Sequence, residues 1–120
     1  MRSIDVGILL SPRIEFTLNG RFACNGVEVS GQGSVVVNDG KVEWNGMLVE
    51  RLLFVPQERA CSFTLKDVVI GINFHWERRE DQTFKGQLLL FVEQGRVRAV
   101  NRVDVEEYLV SVISSEMSAT

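Results

Sequence analysis

The stretch Ser34–Val49, SVVVNDGKVEWNGMLV, decides the fold class of this chain. Apolar and polar residues alternate around two dipeptides, Asp39-Gly40 and Asn45-Gly46. Alternation with a period of two predicts strands that bury one face. Asp-Gly and Asn-Gly are preferred in two-residue hairpin loops, because both central residues need a positive φ. The stretch therefore predicts three short antiparallel strands joined by tight turns.

The same pattern extends over the first hundred residues. The turn signal occurs three more times, at Asn19-Gly20, Asn25-Gly26 and Gln94-Gly95. Two longer runs, DVVIGINFHW (67–76) and TFKGQLLLFVE (83–93), predict long strands that pair as a hairpin. The charged segment Glu77–Gln82 between them predicts a solvated loop. Residues 1–100 are therefore expected to form a β-rich portion made of hairpins and a meander.

The composition limits the classes of function. A chain of 120 residues fits one domain, or most of one. The net charge of −3 offers no basic surface for nucleic acid. No apolar run is long enough to span a membrane, and the first residues alternate like a strand rather than forming a secretion signal. The sequence therefore predicts no nucleic-acid partner, no membrane span and no signal peptide in this chain.

The cysteines and the histidine give no sign of a metal site. Cys24 and Cys61 are too few for a disulfide framework. Free buried thiols are the favoured interpretation, and a single bridge stays open if the fold brings the two together. His75 is the only histidine and no CxxC motif is present. We therefore predict neither a metal nor a cofactor.

The period of the sequence changes at Asp104. Apolar residues then recur at spacings that share one helical face, at Val105, Leu109, Val112 and Ile113. Asp104 is a candidate N-cap, and Glu107 completes a capping-box pair with it. The sequence thus predicts one C-terminal helix.

Glu116 lies in line with this apolar stripe, four residues after Val112 and three after Ile113. Burial raises the pKa of a carboxyl group unless a cation pairs with it. A carboxylic acid that stays protonated near neutral pH can act as a general acid. If the helix instead ends at Ser114–Ser115, Glu116 lies in an ordinary exposed loop. Periodicity leaves both alternatives open.

The C-terminal stretch, VNRVDVEEYLVSVISSEMSAT, resembles the motif of the SpoIID/LytB family. The matching positions are Val100, Asn101, Val103, Glu107, Tyr108, Leu109, Val112, Ser115, Glu116 and Met117. The upstream segment TFKGQLLLFVEQGRVRAVN (83–101) resembles the hairpin that precedes this motif, with its aromatic-x-Gly-x-Leu step. Two features depart from the family pattern. Ser118 stands where the family usually has proline, and the sequence stops at Thr120, before the alanine-rich helix that should follow.

The resemblance implies a cell-envelope protein, outside the cytoplasm, that acts on peptidoglycan. Members of the family cleave glycan strands between N-acetylmuramic acid and N-acetylglucosamine as lytic transglycosylases, and Glu116 would be the acid and the base. Ser115, Ser114 and Tyr108 would orient the substrate, with capping and packing as their alternative roles. The implied partners are glycan strands and a cell-wall amidase, because related members are described as amidase enhancers. The alternative is a non-enzymatic wall-binding or amidase-activating module.

Two tryptophans, Trp44 and Trp76, are candidates for stacking on sugar rings, with core packing as the alternative. For the whole chain we predict a mainly β fold of antiparallel hairpins with one C-terminal helix. Residues 1–100 form the β-rich portion, and residues 101–120 begin the motif helix that carries Glu116. The chain would be a truncated SpoIID-like domain of a larger α+β or β-rich protein, and by itself would not turn over substrate.

Overall fold

The computed structural model describes residues 3–70 and 78–104, without the side chains of residues 67–70 and 78–80. This part of the chain consists of ten β-strands joined by turns and contains no helix. The strands are β1 (Ser3–Ser11), β2 (Arg13–Cys24), β3 (Val27–Asn38), β4 (Lys41–Trp44), β5 (Met47–Val49), β6 (Arg51–Pro56), β7 (Ser62–Ile70), β8 (Arg78–Phe84), β9 (Gln87–Glu93) and β10 (Arg96–Asp104).

All the strand pairs are antiparallel, and the strands form two layers. The β10 layer contains β1, β10, β9 and β6 in that order, and the β2 layer contains β8, β7, β2, β3, β4 and β5. The layers join where Phe22 and Ala23 of β2 pair with Pro56 and Val55 of β6. The two layers face each other, with β3 near β10 and β4 near β9.

The core fills the space between the layers. Four phenylalanines at its centre are at most 2% exposed: Phe16, Phe22, Phe54 and Phe63. The rings of Phe16 and Phe54 come from different layers, and their centroids lie 5.3 Å apart. Each large apolar side chain that is fully buried contributes about 1.5–3 kcal/mol, so contacts between the layers hold the fold together.

Gly20 lets β2 belong to both layers. The register with β3 shifts between Leu18 and Phe22, and Gly20 has a φ of 112°. A bulge of this kind bends a strand. The predicted hairpin turn at Asn19-Gly20 is therefore wrong, because the glycine supplies its positive φ to a bulge inside β2.

The other four predicted turns are confirmed. In each, both central residues have positive φ, at Asn25-Gly26, Asp39-Gly40, Asn45-Gly46 and Gln94-Gly95. These turns connect β2 to β3, β3 to β4, β4 to β5 and β9 to β10. The turn chemistry read from the sequence thus accounts for most of the local hairpins.

The predicted long strand over residues 83–93 is in fact two strands. β8 ends at Phe84 and β9 begins at Gln87, and between them the chain crosses from the β2 layer to the β10 layer. β7 consequently pairs with β8 rather than with β9. The solvated loop predicted at Glu77–Gln82 is also wrong from residue 78 onward, because those residues begin β8.

The predicted fold class is wrong in its C-terminal helix, since the described residues are all β. β10 continues through Asp104, which pairs with Ser3 of β1. Pairing with β1 therefore keeps the backbone extended two residues beyond Arg102, the last residue of β10 that pairs with β9. The rest of the predicted helix, residues 105–120, lies outside the described residues. Among the residues that are described, no helix has the length and apolarity of a membrane span.

The prediction of free buried thiols is confirmed for both cysteines. Burial raises the pKa of the Cys24 thiol, and a backbone hydrogen bond with Leu53 partly opposes this shift. The Cys61 thiol donates a hydrogen bond to the carbonyl oxygen of Arg21, at 3.3 Å.

Replacing Gly33 by alanine is expected to destabilise the fold. Gly33 pairs with Phe16, and a Cβ at this position would lie 2.7 Å from the Phe16 ring. Overpacking of this kind lowers the free energy of unfolding by about 1–3 kcal/mol. Gly7→Ala is the control, because its Cβ would meet only Arg98 Nη1, at an ordinary 3.7 Å. Urea unfolding of both variants measures the difference, and equal stabilities would contradict the prediction.

Candidate functional site at the end of strand β10

The four predicted site residues, Glu116, Ser115, Ser114 and Tyr108, all lie outside the described residues. Their predicted roles therefore stay predictions. Three earlier positions of the same motif, Val100, Asn101 and Val103, lie in β10. β10 is the strand that leads directly into the motif, so its C-terminal end is the described surface from which a site can be built.

Asn101 is the one polar side chain buried in the part of the chain that the structure describes, at 7% exposure. Its amide nitrogen donates hydrogen bonds to the carbonyl oxygens of Lys85, at 2.8 Å, and Gln87, at 3.2 Å. Because both partners are acceptors, the orientation of the amide follows from the contacts. A buried polar group needs such partners, and here they tie the crossover between β8 and β9 to β10.

Gly86 lies between the two carbonyl groups that Asn101 binds, and it packs closely on β10. Its φ is 99°, and a Cβ there would lie 2.8 Å from the carbonyl oxygen of Arg102. Only glycine combines this φ with so close an approach between backbones. The aromatic-x-Gly-x-Leu step and the Val-Asn step of the family resemblance are thus in direct contact.

A second tie joins β1 to the end of β10. The Arg102 guanidinium donates hydrogen bonds to both carboxylate oxygens of Asp5, from Nε at 2.8 Å and from Nη2 at 3.1 Å. This bidentate pair lowers the pKa of Asp5 and raises the pKa of Arg102. β10 is therefore fixed on both sides within the first residues of the motif, to the crossover before β9 by Asn101 and to β1 by Arg102.

Of the two tryptophans considered for sugar stacking, Trp44 packs against the core. Its ring meets Phe54 edge-on, with centroids 5.4 Å apart. Trp76 lies outside the described residues. Within residues 3–70 and 78–104, no group of three His, Cys, Asp or Glu side chains could hold a metal ion.

A groove of about 570 Å³ crosses the outer face of the β2 layer. It is lined by Arg13, Glu15, Phe16, Gln32, Gly33, Ser34, Val36, Glu43, Asn45 and Lys66. We did not predict this groove from the sequence, because its residues come from separate strands and the turn after β4. The only feature of the sequence that relates to the groove is the alternation of these polar residues with core residues in the predicted strands.

Comparison of the chain with family models, curated proteins and solved structures found no match. The likeness to the SpoIID/LytB family therefore rests on the sequence motif alone.

Asn101→Ala is expected to destabilise the protein more than Asn19→Ala does. Both amides donate two hydrogen bonds, but Asn101 is buried while Asn19 is exposed, where it binds the hydroxyls of Ser62 and Thr64. Buried groups left without a partner cost about 1–3 kcal/mol, whereas water replaces the lost partner at an exposed site. Chemical denaturation provides the comparison, and a smaller loss for Asn101→Ala than for Asn19→Ala would refute it.

The pair formed by Asp5 and Arg102 should make stability depend on pH. Because the folded protein lowers the pKa of Asp5, the pair stabilises above the unfolded-state pKa of about 3.9. That stabilisation disappears as the pH falls through the lower, folded-state pKa. Asp5→Asn should cost about 0.5 kcal/mol at pH 7 for so exposed a pair and almost nothing in strong acid.

Thermal unfolding of wild type and Asp5→Asn at several pH values tests this expectation. Asp39→Asn serves as the control, because asparagine and aspartate are both preferred at that hairpin position. A stability difference for Asp5→Asn that stays constant down to pH values where Asp5 is protonated would exclude the pair as its cause.

Proposed function

We propose that this chain is the β-rich part of a SpoIID/LytB-like protein of the cell envelope that acts on peptidoglycan. Its activity would be that of a lytic transglycosylase, which cleaves glycan strands between N-acetylmuramic acid and N-acetylglucosamine. Glu116 would be the acid and base, and Ser115, Ser114 and Tyr108 would orient the glycan. A cell-wall amidase would be a further partner.

One observation supports this proposal beyond the motif itself, namely the contact of Asn101 with the crossover around Gly86. The resemblance comes from two separate segments, around residues 84–88 and from residue 100 onward. The Asn101 side chain joins these segments, and the glycine is required by the close approach. Two sequence signals that depend on one contact are stronger support than two unrelated short matches.

The proposed reaction needs a single carboxyl group. Glu116 would donate its proton to the glycosidic oxygen as the bond from that oxygen to C1 of the muramoyl residue breaks. The resulting carboxylate would then take the proton of the C6 hydroxyl, whose oxygen bonds to C1 and closes a 1,6-anhydro ring. Water is not consumed, and Glu116 ends in its protonated form. An ordinary glycosidase requires a second carboxylate, which this chemistry does not.

A general acid must keep its proton near neutral pH. A neighbouring cation would lower the pKa of Glu116 and make it a poorer acid. The described cation nearest to the motif in sequence is Arg102, and its guanidinium is already bound by Asp5. The pairing of Arg102 with Asp5 is compatible with a role of Glu116 as a general acid.

Glu116→Gln is expected to abolish the formation of anhydromuramoyl ends, with a loss of at least about 100-fold for a removed general acid. The assay uses the full-length protein on glycan strands stripped of peptides, with mass spectrometry of the products. Glu106→Gln is the matched control, because it makes the same change in the same segment outside the motif positions. It should leave the activity unchanged.

Three results would contradict the proposal in different ways. Reducing ends instead of anhydro ends would indicate hydrolysis and a second carboxylate. Equal activity in wild type and Glu116→Gln would exclude Glu116 as the acid. Glycan binding without cleavage, by folded wild-type protein, would indicate the non-enzymatic module.

A further inference from the structure

The groove on the outer face of the β2 layer is lined mainly by polar residues from neighbouring strands. In β2, the outward Arg13 and Glu15 alternate with the buried Ile14 and Phe16. Glu15 pairs with Ser34 of β3. Lys66 of β7 follows Leu65, which pairs with Phe16 of β2, and Glu43 of β4 pairs with Val36 of β3. The row of lining residues thus crosses four neighbouring strands, β7, β2, β3 and β4.

The dimensions of this row suit an extended chain of sugar rings. Adjacent strands are about 4.8 Å apart, so four segments span about 14 Å, which is comparable with the length of a trisaccharide. The middle of the groove is low, because Ser34 has a small side chain. Higher side chains stand at both ends, with Lys66 at one and Glu43 near the other.

The charges in the groove balance. Arg13 and Lys66 carry two positive charges, and Glu15 and Glu43 carry two negative charges. A balanced groove gives no net attraction for a polyanion. The other polar lining groups are the amides of Gln32 and Asn45 and the hydroxyl of Ser34. These groups can both donate and accept hydrogen bonds, as sugar hydroxyls require.

Two of the acceptors in the groove are already held in place. Arg13 binds Glu15 at 3.0 Å, and the Asn38 amide donates to the carboxylate of Glu43. Lys66, in contrast, has no carboxylate partner within the residues that the structure describes. Its ammonium group adds a hydrogen-bond donor to the lining of the groove. Fixed acceptors reduce the entropy that a ligand must offset on binding.

We propose that this groove is a binding site for a neutral oligosaccharide of about three rings, separate from Glu116. Hydrogen bonds to sugar hydroxyls would come from Lys66, Glu15, Glu43 and the two amides. Phe16 is the only aromatic lining residue and is 2% exposed, so ring stacking does not contribute. The affinity should therefore be weak, on the order of 1 mM. The site goes beyond the proposed cleavage, although the choice of a glycan probe rests on that proposal.

The test is a titration of the isotope-labelled protein with the tetramer of N-acetylglucosamine, followed by NMR. Backbone shifts are expected at residues 32–34, 43 and 45. Glu43→Ala should weaken binding about fivefold, the effect of one lost hydrogen bond. Glu28→Ala is the control, since Glu28 is a carboxylate of the same sheet but lies outside the groove. The affinity of the Glu28→Ala variant for the tetramer should equal that of the wild-type protein.

Several outcomes would overturn this inference. One is the absence of shifts at millimolar tetramer, and another is a set of shifts outside the groove. A third is tighter binding of N-acetylmuramic acid than of the tetramer, lost in Lys66→Met, which would make the ligand an acidic sugar. Glu116→Gln should bind the tetramer normally. Groove binding without cleavage would support this inference and contradict the proposed function. Cleavage without groove binding would support the proposed function and contradict this inference.

Discussion

The bend of β2 at Gly20 is the constraint on which the two-layer structure depends. Before the bend, β2 pairs with β7 as far as Asn19, and after it β2 pairs with β6 from Phe22 onward. One strand therefore belongs to both layers. The space for the bend is limited, since a Cβ on Gly20 would lie 2.7 Å from the Sγ of Cys61. The buried thiol of Cys61 thus packs against Gly20, near the place where the two layers join.

The sequence predicted the local hairpins but not the way they assemble. Turn residues act within four positions, so dipeptides such as Asn25-Gly26 and Asn45-Gly46 identified their turns correctly. Gly20 misled the prediction because a bulge and a turn both need a positive φ. The crossover at Gly86 was missed because alternation continues through it, and only the tertiary position of β9 shows that the layer changes. Asp104 has a capping sequence, but pairing with β1 keeps it in a strand.

The sequence allowed us to predict only those residues of the candidate site that belong to one continuous sequence motif. Asn101 belongs to a motif that can be recognised in the sequence. Its hydrogen bonds to Lys85 and Gln87, in contrast, depend on a crossover that could not be predicted from the sequence. The groove gave no contiguous signal at all. Lys66 and Glu15 become neighbours through strand register, which is set by the pairing of Phe16 with Leu65. Register depends on burial across the whole sheet, and a single strand does not reveal it.

The groove and the C-terminal end of β10 lie towards opposite ends of β1. β1 runs from Ser3, which pairs with Asp104 before the motif, to Ser11, two residues before Arg13 in the groove. Its eight residue steps of about 3.3 Å separate these two ends by about 26 Å. A trisaccharide of about 14 Å in the proposed groove site would therefore not reach the end of β10. A long glycan strand could occupy both, and a second weak contact on the same strand raises its overall affinity through effective concentration. Under the two proposals, weak binding of short sugars is sufficient, because tight binding in the groove would slow release after each cleavage.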